Sequence, residues 1–341
     1  MEFIELAELC DKGSSNLAQK DLVFDSGIYP VYGAPGEITK VDFFHQSKTY
    51  LGLIKDGAGV GRVMQLPANS SVIGTIQYIF PKENVDLKYL YYLIKYLDLG
   101  KANTGATIPH IYFKDYKKRK VKVREYSEQI HIAQILELID SHLRTYKKVL
   151  EQYDLLIKSR FVEMFGDPNM VALNKSVKFS SIAKIITGNT PSRKSPEYYG
   201  DYIEWIKSDN IISTNLYISQ AKEFLSEQGA AKGRVAPKDS LLMTCIAGSI
   251  RSIGNIGICD RSVAFNQQIN AIVLKNNINP LYIYWLLKLF KPSIIANVEM
   301  SLKGIISKSH LENMLIPIIA SQEEQELFIK FALQINKLKF A

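Results

Sequence analysis

The chain has 341 residues, 47% of them hydrophobic, with a formal charge of +8 and a pI near 9.1. That is enough chain for two ordinary domains and too apolar a composition for a disordered protein; the basic balance favours an anionic partner such as nucleic acid. Cys10, Cys245 and Cys259 lack the spacing of a disulfide framework or a zinc ribbon, no leader-like segment opens the chain, and no apolar run nears the ~20 residues of a membrane span, so a reduced, soluble, cytoplasmic protein is expected.

The first globular segment is expected over residues 1–126. Leu51–Ile54 and Ile76–Phe80 read as strands, and Asp86–Leu97 as a helix with apolar residues at Leu87, Leu90, Leu93, Ile94 and Leu97. The glycines of Gly57-Ala58-Gly59-Val60-Gly61 do not make a dinucleotide loop, because the third glycine of Gly-x-Gly-x-x-Gly would fall on Arg62 or Met64. Flexible loops beside cations suit contact with a phosphate backbone instead, which makes Arg62 and Lys101 candidates. A basic run, Lys114, Lys117, Lys118, Arg119, Lys120, Lys122 and Arg124, is interleaved with Tyr112, Phe113 and Tyr116. It suits phosphate contact, with Lys117 and Lys118 as the named candidates, or equally a solvated strand face.

A helical phrase follows over residues 127–167. Ile132, Leu136, Ile139, Leu143, Tyr146, Leu150, Tyr153 and Ile157 step by four and three, an a/d seam fit for lengthwise helix packing. Ser127-Glu128-Gln129 offers a capping region, Gly166 and Pro168 are stop signals, and a continuous helix would be roughly 58 Å long at ~1.5 Å per residue. The second globular segment, residues 168–320, brings strands at Leu241–Met243 and Ile269–Leu274 and a helix at Pro280–Phe290. Its loops Gly188-Asn189-Thr190-Pro191-Ser192-Arg193-Lys194, Gly248 to Arg251, Asn266-Gln267-Gln268 and Lys303-Gly304 hold the candidates Arg193, Lys194, Arg251, Gln267 and Lys303. These residue types can fork onto base edges, although an amide cluster at a strand start is also commonly structural. A short helical phrase, 321–341, closes the chain with Leu327, Phe331 and Leu338 at coiled-coil spacing.

The two halves repeat. Phe3-Ile4-Glu5-Leu6-Ala7-Glu8-Leu9 pairs with Phe179-Ser180-Ser181-Ile182-Ala183-Lys184-Ile185, Ile76, Tyr89 and Leu93 pair with Ile269, Tyr282 and Leu286, and Glu128-Gln129 pairs with Glu324-Gln325. The second copy carries the extra loop material, most of it between Thr190 and Asn266. The expected fold is α+β: two similar mixed α/β globular domains joined by long helices that pair as an antiparallel coiled coil, in a pseudo-two-fold arrangement.

Catalytic hardware is not evident. His45, His110, His131, His142 and His310 lack metal-ligand spacing, and there is no Gly-x-Ser-x-Gly elbow, amino-methyltransferase motif or nuclease cluster. No catalytic residue and no metal site is expected. A methyltransferase fragment or nuclease with divergent motifs, and a helical assembly scaffold, are the alternatives to a recognition module.

Tyr29-Pro30-Val31-Tyr32-Gly33, Gly188-Asn189-Thr190-Pro191-Ser192, Asn266-Gln267-Gln268, Ile135-Leu136-Glu137-Leu138-Ile139-Asp140 and the two Glu-Gln helix starts together resemble the specificity subunit of a Type I restriction-modification system. The resemblance covers nearly the whole chain and rests on the order of the motifs and the duplication. It implies a non-catalytic, DNA-binding subunit whose two target recognition domains each read half of a bipartite double-stranded DNA site. It further implies that the helices set the half-site spacing and dock two methyltransferase subunits and a restriction/translocase subunit. S-adenosylmethionine, ATP and Mg would belong to those partners; the short second helical phrase departs from the family pattern and bears on whether both methyltransferase docking sites are complete.

Overall fold

The structure is a computed structural model that describes residues 3–57, 59–102, 109–170, 176–275, 278–296, 298, 304–317 and 320–339. It divides into two compact units, residues 1–146 and 147–341. The long helix therefore belongs half to each unit and does not form a domain of its own.

Unit 1 runs β1 (Phe3–Glu5), β2 (Cys10–Ser14), β3 (Tyr29–Gly33), β4 (Gly36–Val41), β5 (Tyr50–Ile54), β6 (Val63–Leu66), β7 (Ser71–Val72), β8 (Ile76–Pro81), α1 (Leu87–Leu97), α2 (Phe113–Tyr116), β9 (Lys120–Lys122) and α3 (Tyr126–Phe165), which continues into unit 2. Its central sheet is antiparallel in the order β2-β8-β5-β6. Beside it lie a sheet β4-β3-β7, in which β3 and β7 run parallel, and a ladder of β1 with β9. All five residues of β5 are buried, which is why that strand reads as a continuous apolar run and not as an alternation. Leu90 and Ile94 of α1 pack on Leu51, Leu53 and Ile79 of this sheet.

Unit 2 adds β10 (Ser176–Lys178), α4 (Phe179–Ile182), β11 (Ala183–Thr187), β12 (Tyr199–Ile206), β13 (Phe224–Leu225), α5 (Glu227–Lys232), β14 (Val235–Ala236), β15 (Leu241–Thr244), β16 (Ile246–Ala247), β17 (Ile256–Ile258), β18 (Val263–Phe265), β19 (Ile269–Leu274), α6 (Pro280–Ile295), β20 (Gly304–Ile305), α7 (Lys308–Asn313), β21 (Leu315–Pro317) and α8 (Gln322–Leu338). Its central sheet, β11-β19-β15-β17, has the same order and the same antiparallel sense as that of unit 1. The β12/β18 pair is parallel like β3/β7, and β10/β21 repeats β1/β9. The duplication is thus a duplication of topology.

One expected pairing of landmarks is three residues out. Leu6 N donates to Arg119 O and Phe179 N donates to Met314 O at equivalent points, so Leu6 stands where Phe179 stands and not where Ile182 does. Phe3 is 63% exposed whereas Phe179 is fully buried, so the two phenylalanines that suggested the match play opposite parts. An apolar residue on a one-turn helix fits several registers, and burial chose among them.

The helical phrases start from a shared clamp. Gln129, buried at 2% exposure, donates through Nε2 to Asn84 O (3.2 Å) and Arg124 O (2.9 Å) and accepts from Asp86 N at 3.0 Å. Gln325, 4% exposed, repeats this: Nε2 donates to Ala320 O at 2.8 Å and Oε1 accepts from Asn279 N at 3.3 Å. Asp86 and Asn279 are the N-caps of α1 and α6, taking the amides of Tyr89 and Leu281. The Glu-Gln landmark is therefore a buried amide that ties the start of one helix to the cap of another. Ser127 is not a cap, because α3 already begins at Tyr126; Ser321 is one, accepting from Glu324 N.

The seam is only partly buried. Ile157 is fully buried, Tyr153 packs partly against the same core, and Ile132, Leu136 and Leu150 are half-buried, but Ile139, Leu143 and Tyr146 are exposed. In α8 the buried face is Phe328, Ala332 and Ile335, with Phe331 partly covered, while Leu327 is exposed. Within unit 2 the helices run antiparallel: Phe328 meets Phe161 and Phe165, and Lys339 pairs with Asp154. Leu327 was misplaced because Leu, Phe and Leu at 327, 331 and 338 mimic a heptad. The stripe that faces the core steps from Gln325 to Phe328, Ala332 and Ile335.

Candidate nucleic-acid interface

Strand polarity puts the candidate loops at one end of each central sheet. In unit 1 the end is marked by Ser14, Ile54 and Gln77, paired as Ser14 with Gln77 and Ile54 with Ile76. In unit 2 it is marked by Thr187, Thr244 and Asn270, paired as Thr187 with Asn270 and Thr244 with Ile269.

At the unit 1 end, Lys12, Lys55, Lys114 and Lys117 line a cleft of about 410 Å³ together with Ser14, Gln77, Tyr112 and Phe113. Lys114 Nζ lies 5.3 Å above the Tyr112 ring, and Gln77 Oε1 accepts from Tyr116 Oη at 2.6 Å. The nearby carboxylates are committed: Asp56 pairs with Lys55 at 3.8 Å, and Asp115 takes the Tyr112 amide at 2.8 Å. Four ammonium groups with aromatic neighbours can hold phosphate oxygens. Lys117 belongs to this cleft; Lys118 is exposed on the turn beyond it. Arg62 and Lys101 sit on two loops that touch where Gly61, at φ +84°, lies against the backbone of Leu99 and Gly100. Arg62 donates to Ala34 O, and Lys101, on a surface turn, pairs with Asp98 at 2.9 Å. Sequence reading passed over Lys12 and Lys55, because only strand pairing brings them next to α2.

At the unit 2 end the three loops close on one another. Gly188 lies so near Asn266 that a Cβ there would fall 2.1 Å from the Asn266 carbonyl oxygen, which explains the glycine of Gly-Asn-Thr-Pro-Ser. Thr190 Oγ1 donates to Gln267 Oε1, Cys245 N donates to Gln268 O at 2.7 Å, and Asn266 Nδ2 donates to Gln268 Oε1 at 3.1 Å. Asn266 and Gln268 hold the loops together, while Gln267 remains exposed. Arg193 stacks on Tyr199 (4.4 Å) and Trp205 (5.0 Å) and pairs with Glu223 at 2.5 Å; Lys207 takes the other Glu223 oxygen. Hydrogen bonds from Lys207 and Arg193 hold the Glu223 carboxyl below the usual carboxylate range. Arg193 is therefore a pinned cation, its guanidinium oriented before any ligand arrives, and Glu223, which carried no motif, is what orients it. Lys194 and Arg251 are exposed on the same loops, and Lys303 lies outside the described residues.

The two ends share a place in the fold but not a chemistry. By strand register and cap position, Lys12, Lys55 and Lys117 of unit 1 correspond to Ile185, Cys245 and Glu312 of unit 2. Burial pushes the Cys10, Cys245 and Cys259 thiols up to about 12, so none is a nucleophile near neutral pH. Among the described residues, no cluster of three or more His, Cys, Asp or Glu could hold a metal ion, and no helix is long and apolar enough to cross a membrane.

Comparison with known proteins agrees with this architecture. The chain is 25% identical over 183 residues to the Type I restriction enzyme MjaIX specificity subunit of Methanocaldococcus jannaschii, covering 50% of this chain and 41% of that one. It is 31% identical over 111 residues to the Type I restriction enzyme HindI specificity subunit of Haemophilus influenzae, covering 32% and 23%. The matched stretches thus span less than half the length of these curated relatives. The crystal structure of the Type I restriction-modification S subunit from M. genitalium superposes with a TM-score of 0.60 at 18% identity, over 99% of this chain and 90% of that one. A chain from a structural study of assembly and conformational transition in the type I R-M system superposes at 0.51 with 12% identity, over 99% and 91%. The sequence pattern of the Type I restriction modification DNA specificity domain matches residues 1–152 and again 173–337, one match to each half of the repeat; the chain belongs to that family.

Proposed function

We propose that this chain is the sequence-reading, non-catalytic subunit of a Type I restriction-modification complex, with each unit reading one half of a bipartite double-stranded DNA site. The observation that carries this reading is the placement of polar and basic loops at the same end of two sheets of identical topology. Phosphate contacts position a protein and base contacts specify, so the unit 1 lysines supply grip, while Arg193, Lys194, Arg251 and Gln267 supply grip and readout in unit 2. Different side chains at equivalent places suit two different words. The uninterrupted helix α3 sets the unread gap between them. Two methyltransferase subunits and a restriction/translocase subunit dock on the helices, bring S-adenosylmethionine, ATP and Mg with them, and work in the cytoplasm.

Inserting one heptad after Leu143 lengthens α3 by roughly 10 Å at ~1.5 Å per residue, or about three base pairs at ~3.4 Å each. Methylated-adenine mapping in cells should then show both words unchanged and the gap lengthened. Changed words at the old gap would refute the assignment.

A further inference from the structure

Where the loop after β11 meets β12, unit 2 carries a group of charged and aromatic side chains that unit 1 lacks. Arg193 lies 4.4 Å from the Tyr199 ring and 5.0 Å from the Trp205 ring, and its Nη2 donates to Glu223 Oε2 at 2.5 Å. Glu223 is held in turn: its other oxygen accepts from Lys207 Nζ, which lies 5.0 Å from the Trp205 ring. Trp205 N donates to Glu223 O at 2.9 Å, which sets the carboxylate beside the indole. The rings are tied to the loop as well, since Tyr199 Oη donates to Pro191 O at 2.7 Å and Trp205 Nε1 to Asn189 O at 3.4 Å. By strand register, Trp205, Glu223 and Lys207 correspond to Val31, Thr39 and Gly33 of unit 1. The shared topology therefore does not require this group, and its purpose belongs to unit 2 alone.

An arginine can meet DNA at a phosphate or at a base edge, and the carboxylate decides between them. Glu223 would repel a phosphate, so it weakens a contact made for charge alone. A neutral base edge is not repelled, and it is best met by a guanidinium whose plane is fixed in advance, which the two rings and the carboxylate provide. The Arg193 side chain is 55% exposed, and among the described residues its Nε and Nη1 have no hydrogen-bond partner, so the fork still has N–H groups to offer. A guanidinium only donates. Among the base edges of the major groove, guanine alone presents two acceptors side by side, N7 and O6. Adenine sets a donor beside its acceptor, thymine a methyl group, and cytosine offers a donor. We infer that Arg193 reads a guanine in the half-site bound by unit 2, and that Glu223 and Lys207 are positioning residues that fix the plane of its guanidinium. The inference rests on the DNA-reading assignment and deepens it by naming the base.

The test uses the assembled complex and duplexes carrying its site, first defined by methylated-adenine mapping, each with one base pair changed; retention is measured by titration. The wild type should favour G·C at one position of one word by about 5- to 150-fold, the range of a bidentate contact. Arg193→Lys keeps the charge and removes the fork. Preference at that position should then shrink to within about twofold, while every other position and the salt slope stay as they were. Glu223→Gln should weaken preference at the same position and hold or raise retention on unrelated DNA, because it removes a negative charge; mere damage to the fold would lower both. Arg193→Lys that leaves every position as selective as before, relaxes an A·T position instead, or lowers retention on all duplexes alike would overturn the inference. So would Glu223→Gln with its selectivity intact. A wild-type map without a bipartite site would refute the DNA-reading assignment, and this inference with it.

Discussion

Replacing Gln129 with leucine keeps the volume and removes every polar contact of the clamp. The amides of Gln129 serve Asn84 O, Arg124 O and Asp86 N, and each such bond contributes roughly 1 kcal/mol net, so about 3 kcal/mol is at stake. The Arg124 carbonyl loses this donor, and the Asp86 amide is left facing apolar surface. For a unit of this size, about 3 kcal/mol corresponds to a transition lowered by about 6–12 °C. Gln325→Leu removes the bonds to Asn279 N and Ala320 O, about 2 kcal/mol, or about 4–8 °C. Differential scanning calorimetry should resolve the units: Gln129→Leu should lower one transition and Gln325→Leu the other, by the smaller amount. Shifts under about 1 °C, or both substitutions acting on one transition, would show that the clamp does not hold the helix starts to their units.

Alanine at both Lys114 and Lys117 should weaken DNA retention and flatten its dependence on salt by up to ~1.8 in the log–log slope, measured by titration over a salt series. An unchanged slope would remove the unit 1 cleft from the interface. Gly188→Ala places a methyl group against the Asn266 carbonyl; selectivity for one half-site should fall while the other word persists in methylation maps. The Glu223 carboxyl is held low, so its stabilisation is complete above the ordinary carboxylate range and is lost as pH falls through its lowered value in the folded chain. Between about pH 5 and about pH 3 the unit 2 transition should therefore fall more steeply in the wild type than in Glu223→Gln, a difference calorimetry can read.

Much of this was legible in the sequence. Periodicity placed the strands at Leu51–Ile54 and Ile269–Leu274 and helix α1 to within a residue or two, because those segments are buried in ways that composition records. Repetition gave the two units. What did not show was pairing across the fold: Lys12 and Lys55 look like isolated surface lysines until β2 and β5 flank β8 and bring both beside α2. Glu223 lies in no motif, yet it aims Arg193. The Glu-Gln landmark was visible, but its meaning, a buried amide closing a loop and a cap, needed coordinates.

Helix α3 has its supports at the two ends, the Gln129 clamp at one and the Phe161 cluster at the other. Every side chain from Ser141 to Lys148 is exposed, so that stretch gains little from burial. Isolated helices usually fray at their tips, where nothing continues the ladder. Here the tips are anchored, and the weakest turns lie at the centre, so hydrogen exchange and proteolytic nicking should find the chain first at its midpoint.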